Sequence, residues 1–413
     1  MDYISFGILL LAFGISIFQI TYKKFVAYPH NTFFITGYIF YMLLFPFLLL
    51  IGLVDYTVFA QNEIQYSLFV SLVGLCAYIL SNNGIGLPNR KTTTNLSNGY
   101  GFTNISLGKD GRLLLLLIIF ILFILKINYI NLGIIFISCA SVMLNINRSY
   151  RENIIVLLIF LIVGIFIMII GTSARRDLLG VFIVWLVLLH NMHRGADNKD
   201  ILKSIMILFT CLVGLIYVTI IRSFDMEYSY WYYTMRMYNT YGGLVGSFLT
   251  LADFAIAYDN FLKIIEKTTT DGFLGIQSFY RILLIPIPRE ILPSKPVDVQ
   301  QLIVDMGYAS NIFAGGSSQS MTLIGELYWN YGIYIVFLGM YLFGLINAYL
   351  DQLFRSESKV GVVFSLSFIP ISFLVWRGAF TTTIVYGLST SFLSVLIIIF
   401  ILKVQRRFSL NGE

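Results

Sequence analysis

The sequence predicts an all-α protein, a polytopic membrane bundle of about eleven spanning helices with one large loop on the outer side. Composition is the first reason: 58% of the residues are hydrophobic, 12% are charged and the mean hydropathy is +0.83. An ordinary soluble domain carries about 25% charged residues. The second reason is a recurrence of apolar runs approaching the roughly 20 residues that a helix needs to cross the hydrocarbon core. The third is residues 222–331, a stretch too long for a simple connection and too aromatic for disorder.

The predicted spans are 3–21, 33–53, 64–80, 113–130, 132–146, 153–171, 178–192, 203–221, 332–350, 360–375 and 380–402. The first is a retained helix, because Asp2 precedes it and no basic leader does. Cys76, Cys139 and Cys211 all fall inside such runs and are expected to pack, not to form disulfides. With the N-terminus outside, the inner segments hold 16 cations against 7 anions, a net +9; the remainder holds −3, and together these make +6. That bias fixes the orientation. It also explains the basic charge without nucleic acid, which is not an expected partner. The whole chain, 1–413, reads as a single membrane domain.

Within the outer loop 222–331, two stretches are oily enough to enter the bilayer: "GGLVGSFLTLADFAIAY" (242–258) and "GFLGIQSFYRILLIPI" (272–287). They are expected to be interfacial or re-entrant, since Asp253 and Arg281 are expensive at depth. Full crossing would raise the count to twelve or thirteen and carry "KIIEKTTTD" inside. Residues 297–308 have the pattern of a short amphipathic helix, and "AGGSSQS" (314–320) that of a connector.

"RILLIPIPREILPSKP" (281–296) carries Arg281, Arg289 and Lys295 on the side where the charge rule disfavours cations. Arg176, Arg222 and Arg377 join them at outer helix ends. Each alone reads as a snorkelling anchor or an ion-pair partner. As a set they read as a site for a diphosphate, because the planar guanidinium matches phosphate geometry. Glu326, in "TLIGELYWNYG", is either a general base or the ion-pair partner of one arginine. The run "EYSYWYYTMRMYNTYGG" (227–243) is an aromatic belt or a sugar-stacking surface, with Tyr230, Trp231 and Tyr233 as the candidate contacts. Trp329 and Trp376, at outer helix ends, are expected to be belt residues. Asp225 and Glu227 have a D-x-E spacing, but with His30, His190 and His193 all placed inside, no metal site is expected.

The arrangement "RILLIPIPREILPSKP…GGSSQSMTLIGELYWNYGIYIVFLGMY", with "SARRDLLGVFIVWLVLL" and "WRGAF", resembles the Wzy-type O-antigen and capsule repeat-unit polymerases. The resemblance covers roughly residues 170–400. It implies a GT-C-like helical fold and a glycosyltransferase of the bacterial inner membrane, with its active site at the periplasmic face. Donor and acceptor would be glycans on undecaprenyl diphosphate, used without a cofactor. Membrane lipids would surround the bundle, and a chain-length regulator and a flippase are candidate companions. By this analogy Arg281 and Arg289, with Glu326, would carry the chemistry. Arg176, Arg222, Arg377 and Lys295 would hold the diphosphate. The competing readings are a polysaccharide ligase, which calls for an outer histidine, and a flippase or transporter, which calls for cations at the membrane midplane.

Overall fold

The computed structural model describes residues 3–22, 28–50, 61–84, 115, 118, 132–141, 159, 161–162, 175–192, 254–285, 287, 291–307, 320–356 and 358–410. Its regular elements are helical. They are α1 (Tyr3–Tyr22), α2 (Pro29–Leu50), α3 (Gln61–Gly84), α4 (Leu132–Ala140), α5 (Arg175–Met192) and α6 (Phe254–Asp271). They continue with α7 (Gln277–Leu284), α8 (Val299–Asp305), α9 (Leu323–Tyr331), α10 (Ile333–Phe354), α11 (Lys359–Leu374) and α12 (Phe380–Leu410). Among the described residues, α1, α2, α3, α10 and α12 are long and apolar enough to cross a membrane, and α11 is a shorter apolar helix. The predicted span 203–221, and most of 113–130 and 153–171, lie outside the described residues.

These helices turn large apolar side chains outward, unlike a soluble bundle, and bury polar side chains among the apolar ones of the interior. On α1, Ser5, Ser16 and Gln19 are buried while Ile4, Leu10, Leu11, Ile17 and Phe18 are exposed. On α12, Leu388, Phe392, Leu396 and Phe400 form an exposed stripe at four-residue spacing, and Thr390, Ser391 and Ser394 face inward. Lipid solvates leucine as well as a protein core does, so association must come from close packing and interhelical hydrogen bonds.

Both devices are present. The carbonyl of Gly344 on α10 accepts from Asn82 Nδ2 on α3 at 3.0 Å. A Cβ at Gly344 would overlap Ser81 and the carbonyl of Tyr78, so only glycine allows this approach. Gly37 on α2 likewise lies under the indole of Trp376. A chain of polar side chains crosses the interior. Gln19 reaches Asn83 and Asn31, Tyr78 joins Asn31 to Asn347, and Asn347 leads through Ser372 to His30. The other ring nitrogen of His30 pairs with Ser365 at 2.8 Å.

α2 starts four residues before its predicted span. Pro29 sits in its first turn, where a missing N–H costs nothing. No local side chain caps it; Asp351 of α10 does, accepting from the amides of His30 (2.9 Å) and Asn31 (3.2 Å). Its middle, Ile39–Leu44, is π-helical. The wide turn directly precedes Pro46, which has no N–H for the Met42 carbonyl.

The segment 222–331, expected as an outer loop, departs from expectation at α6. Residues 254–271 form one continuous helix, although 242–258 and 263–271 read as separate pieces. Tyr258, Phe261, Leu262 and Ile265 make a buried helical face that runs through the polar residues between them. The hydroxyls of Thr268, Thr269 and Thr270 bond back to carbonyls three residues earlier. The helix packs into the bundle, with Tyr258 Oη and Ser67 Oγ of α3 2.5 Å apart. Residues 242–253 lie outside the described residues.

The glycine contact gives a direct test. Gly344→Leu should lower the thermal unfolding temperature in detergent and reduce the folded yield, consistent with overpacking costs of about 1–3 kcal/mol or more. Gly14→Leu is the control, because nothing lies within 4 Å of its Cβ position. Equal stability of the two variants would refute the close approach.

Candidate functional site

α9 begins where Thr322 caps it, its hydroxyl accepting from the Gly325 amide at 2.9 Å. One turn on, Glu326 is fully buried. Its Oε2 accepts from the backbone N–H of Phe380, the first residue of α12, at 2.6 Å. A carboxylate there meets both an unpaired amide and the positive end of a long helix. Its other oxygen, Oε1, is buried without a hydrogen bond. Asn330, one turn further along α9, donates to the Glu326 carbonyl at 2.6 Å and exchanges two hydrogen bonds with Ser278 of α7.

Three residues along α7 from Ser278, Arg281 points the same way and is 9% exposed. Its Nη2 lies 2.8 Å from Asp298 Oδ2, and its Nη1 donates to Thr382 Oγ1 at 3.3 Å. Thr382 in turn donates to the same Asp298 oxygen at 2.9 Å. Asp298 also caps α8 through the Gln300 amide. Arg281 Nε remains buried and without a partner. Four elements thus meet at one point: α7, the cap of α8, α9 and the first turn of α12.

The electrostatics separate the two carboxyls. Burial disfavours the charge on Glu326 and, reinforced by the nearby Asp298 carboxylate, overrides the Phe380 amide, Ser278 and Arg281, so its pKa is pushed up to about 8. Burial also works against Asp298, but the Arg281 guanidinium, with the Gln300 amide and the Thr382 hydroxyl, holds its pKa below the ordinary carboxylate value. One acid is ionised and paired. The other is poised near neutrality, where a general base or acid works best.

Of the predicted residues, the structure brings Arg281 and Glu326 to this point. Of the two blander readings of a single arginine, Arg281 is not the snorkelling anchor but is the ion-pair partner, its head turned inward onto Asp298. Glu326 is paired with no arginine among the described residues. Arg377 lies, partly buried, in the turn between α11 and α12, three residues before Phe380, and its backbone N–H bonds to the Leu374 carbonyl at 3.0 Å. Lys295 closes the loop after α7, its Nζ donating to the carbonyls of Ile285 (2.9 Å) and Ile287 (3.0 Å). Arg176 lies in the first turn of α5. Arg222, Tyr230, Trp231, Tyr233 and Arg289 lie outside the described residues.

Trp329 and Trp376 correct an expectation. Both are buried, not in an interfacial belt. Trp376 donates from Nε1 to the Phe34 carbonyl at 2.9 Å and packs against Phe34 and Tyr38. An indole whose N–H finds a carbonyl is as well satisfied inside as at the interface. Sequence reasoning missed Asp298, Thr382, Ser278 and Asn330. A signal existed for Asp298 alone: it precedes the apolar pattern of 299–303 as a helix cap does.

Removing Asp298 leaves a nearly buried guanidinium without its anion. Asp298→Ala should destabilise by about 1–3 kcal/mol, below the 3–5 typical of fully buried pairs because Asp298 is partly exposed. Thr382→Val should cost about 1 kcal/mol, one hydrogen bond. Thermal unfolding in detergent measures both, and an Asp298→Ala protein as stable as the parent would contradict the pairing.

Comparison with known proteins gives one family. Residues 301–407 match the family model described as O-antigen polysaccharide polymerase Wzy. No curated protein and no solved structure matches. The matched stretch is about a quarter of the chain and holds Glu326, Arg377, Phe380 and Thr382. The resemblance to the Wzy-type O-antigen polymerases is therefore borne out over the part of the chain that supplies the buried carboxyl and the helix end it is seated on.

Proposed function

We propose that this chain polymerises lipid-linked oligosaccharide repeat units by glycosyl transfer at the periplasmic face of the bacterial inner membrane. The growing glycan leaves undecaprenyl diphosphate and joins the non-reducing end of a new repeat unit. The observation that carries this reading is Glu326: a fully buried carboxyl with one oxygen unpartnered, beside Arg281, inside the stretch that matches the polymerase family.

In the step itself, an acceptor hydroxyl oxygen bonds to the donor's anomeric carbon. The bond from that carbon to the diphosphate oxygen breaks, and the diphosphate departs with the electron pair. The hydroxyl proton passes to Glu326 Oε1. Arg281, through its unpartnered Nε, and Arg289 stabilise the negative charge that develops on the leaving group. In many enzymes, preorganised donors of this kind account for most of the rate enhancement. Arg176, Arg222, Arg377 and Lys295 hold the diphosphate, and Tyr230, Trp231 and Tyr233 contact sugars.

The ligase reading calls for a functional histidine near this chemistry. His30, the histidine whose side chain is among the described residues, is engaged by Ser365 and Ser372 within the bundle and is not near this cluster.

Purified protein incubated with lipid-linked repeat units, and with no second acceptor, should produce a ladder of polymer lengths on a gel. Arg281→Ala should abolish the ladder or cut the rate by roughly 100-fold or more, in the range seen when a charge-stabilising donor is lost. A folded Arg281→Ala protein with an unchanged ladder would refute the role.

Glu326 must shed its proton before it can accept one. Turnover should therefore rise about tenfold from pH 6 to 7 and level off above the pKa of about 8. Glu326→Gln should be slow and lose this dependence. A parent profile that is flat from pH 6 to 9 would remove Glu326 as the base.

A further inference from the structure

Arg281 sits on a helix whose two faces are reversed with respect to an interfacial anchor. An anchoring arginine lies along the outward face with its head in water. On α7, Ser278 and Arg281 turn inward, while Tyr280 and Leu283, and Ile276 at its N-cap, are 52%, 74% and 64% exposed. These three, at i, i+4 and i+7, share one face. No charged side chain other than the inward Arg281 occurs between Asp271 and Leu284.

This face continues a surface that belongs to lipid. The amides of Leu274 and Gly275, just before α7, bond to the carbonyls of Trp329 and Asn330 at the end of α9 (2.8 and 3.0 Å). The Phe273 ring lies 3.1 Å from the Cβ position of Gly332, the residue that turns the chain from α9 into α10, and the Tyr331 hydroxyl lies 3.6 Å from that of Gly275. From there the exposed stripe of α10 runs on through Tyr334, Phe337, Leu338 and Leu342. α10 has 22 residues, about 33 Å at 1.5 Å per residue, enough to cross a hydrocarbon core of about 30 Å. Its first turn therefore marks one boundary of that core, the outer one on the proposed function, and α7 starts beside it.

We infer that residues 273–284 form a lipid-contacting flap in the outer boundary of the bilayer, its outward face covered by lipid chains and its inward face carrying Arg281. Such placement sets the guanidinium at headgroup depth, within reach of a phosphate whose hydrocarbon tail stays in the membrane. The flap is an amphipathic segment lying on the membrane and not across it.

The native protein, reconstituted in liposomes containing a phospholipid with a photoreactive diazirine in its acyl chain, tests this by illumination and peptide mapping. Adducts should form on 273–284, at Tyr280 and Leu283, as well as on the Tyr334–Leu342 stripe of α10. Thr269–Asp271, at the exposed end of α6, should stay unlabelled. Leu283→Glu should lose the adducts on α7 and keep those on α10, which also reports that the bundle is intact. Labelled α10 with unlabelled 273–284 in the native protein would overturn the inference, as would undiminished labelling of α7 in Leu283→Glu. The readout needs no turnover. A bare α7 in a protein that builds ladders sinks the flap alone, and a labelled α7 in a protein that builds none sinks the polymerase reading alone.

Discussion

One end of this bundle depends on a carboxyl seated against the first amide of its last helix. Glu326 brings α9 to α12 through the Phe380 N–H. That amide has no partner within its own helix, so a buried α12 terminus needs an acceptor from elsewhere. Asn330 and Ser278 then tie α7 to α9, and Thr382, in the same first turn of α12, ties Arg281 and Asp298 to it. Each link satisfies a group that would be costly to leave unpaired in a medium of low dielectric. Among the described residues, the buried atoms left without a hydrogen bond here include Glu326 Oε1, Arg281 Nε and the Thr381 hydroxyl, and the first two are ionisable groups. Their isolation is what makes the region a candidate for chemistry and not only for stability.

A second polar system holds the bundle interior. The series from Asn83 through Gln19, Asn31, Tyr78, Asn347 and Ser372 to His30 joins α1, α2, α3, α10 and α11. Apolar contact among such helices gains little over contact with lipid, so these hydrogen bonds and the glycine contacts set the register. Phe34 stacks on Tyr78 and tilts against Trp376, which extends the same arrangement toward the turn that carries Arg377. The interior network and the Glu326 cluster are thereby packed through one aromatic group.

The parts of this structure legible in the sequence are those written in composition over many residues. The runs at 3–21, 332–350 and 360–375 lie on helices whose ends differ from them by at most four residues, and 380–402 starts with its helix, because twenty apolar side chains leave little choice in a membrane. Arg281 and Glu326 stood out because charge is scarce in such a chain. Thr382, Ser278 and Asn330 did not, because a hydroxyl or an amide in a membrane helix looks alike whether it bonds its own backbone or a distant partner. Trp376 was misread for a related reason. Its position at a helix end is visible in the sequence, but Gly37, the residue that makes room for its indole, lies 339 positions away. The continuity of α6 was hidden by three threonines and a charged pair that resemble a loop until their hydroxyls are seen to close on the helix itself.

Asp351 carries an implication for how this chain tolerates change. It grips α2 by main-chain amides, which every residue except proline presents identically. Substitutions at 30 and 31 would therefore leave these two amide bonds available while breaking the side-chain bonds to Ser365, Ser372, Gln19 and Tyr78. The two attachments of this segment are separable: one is read from the main chain and the other from the side chains.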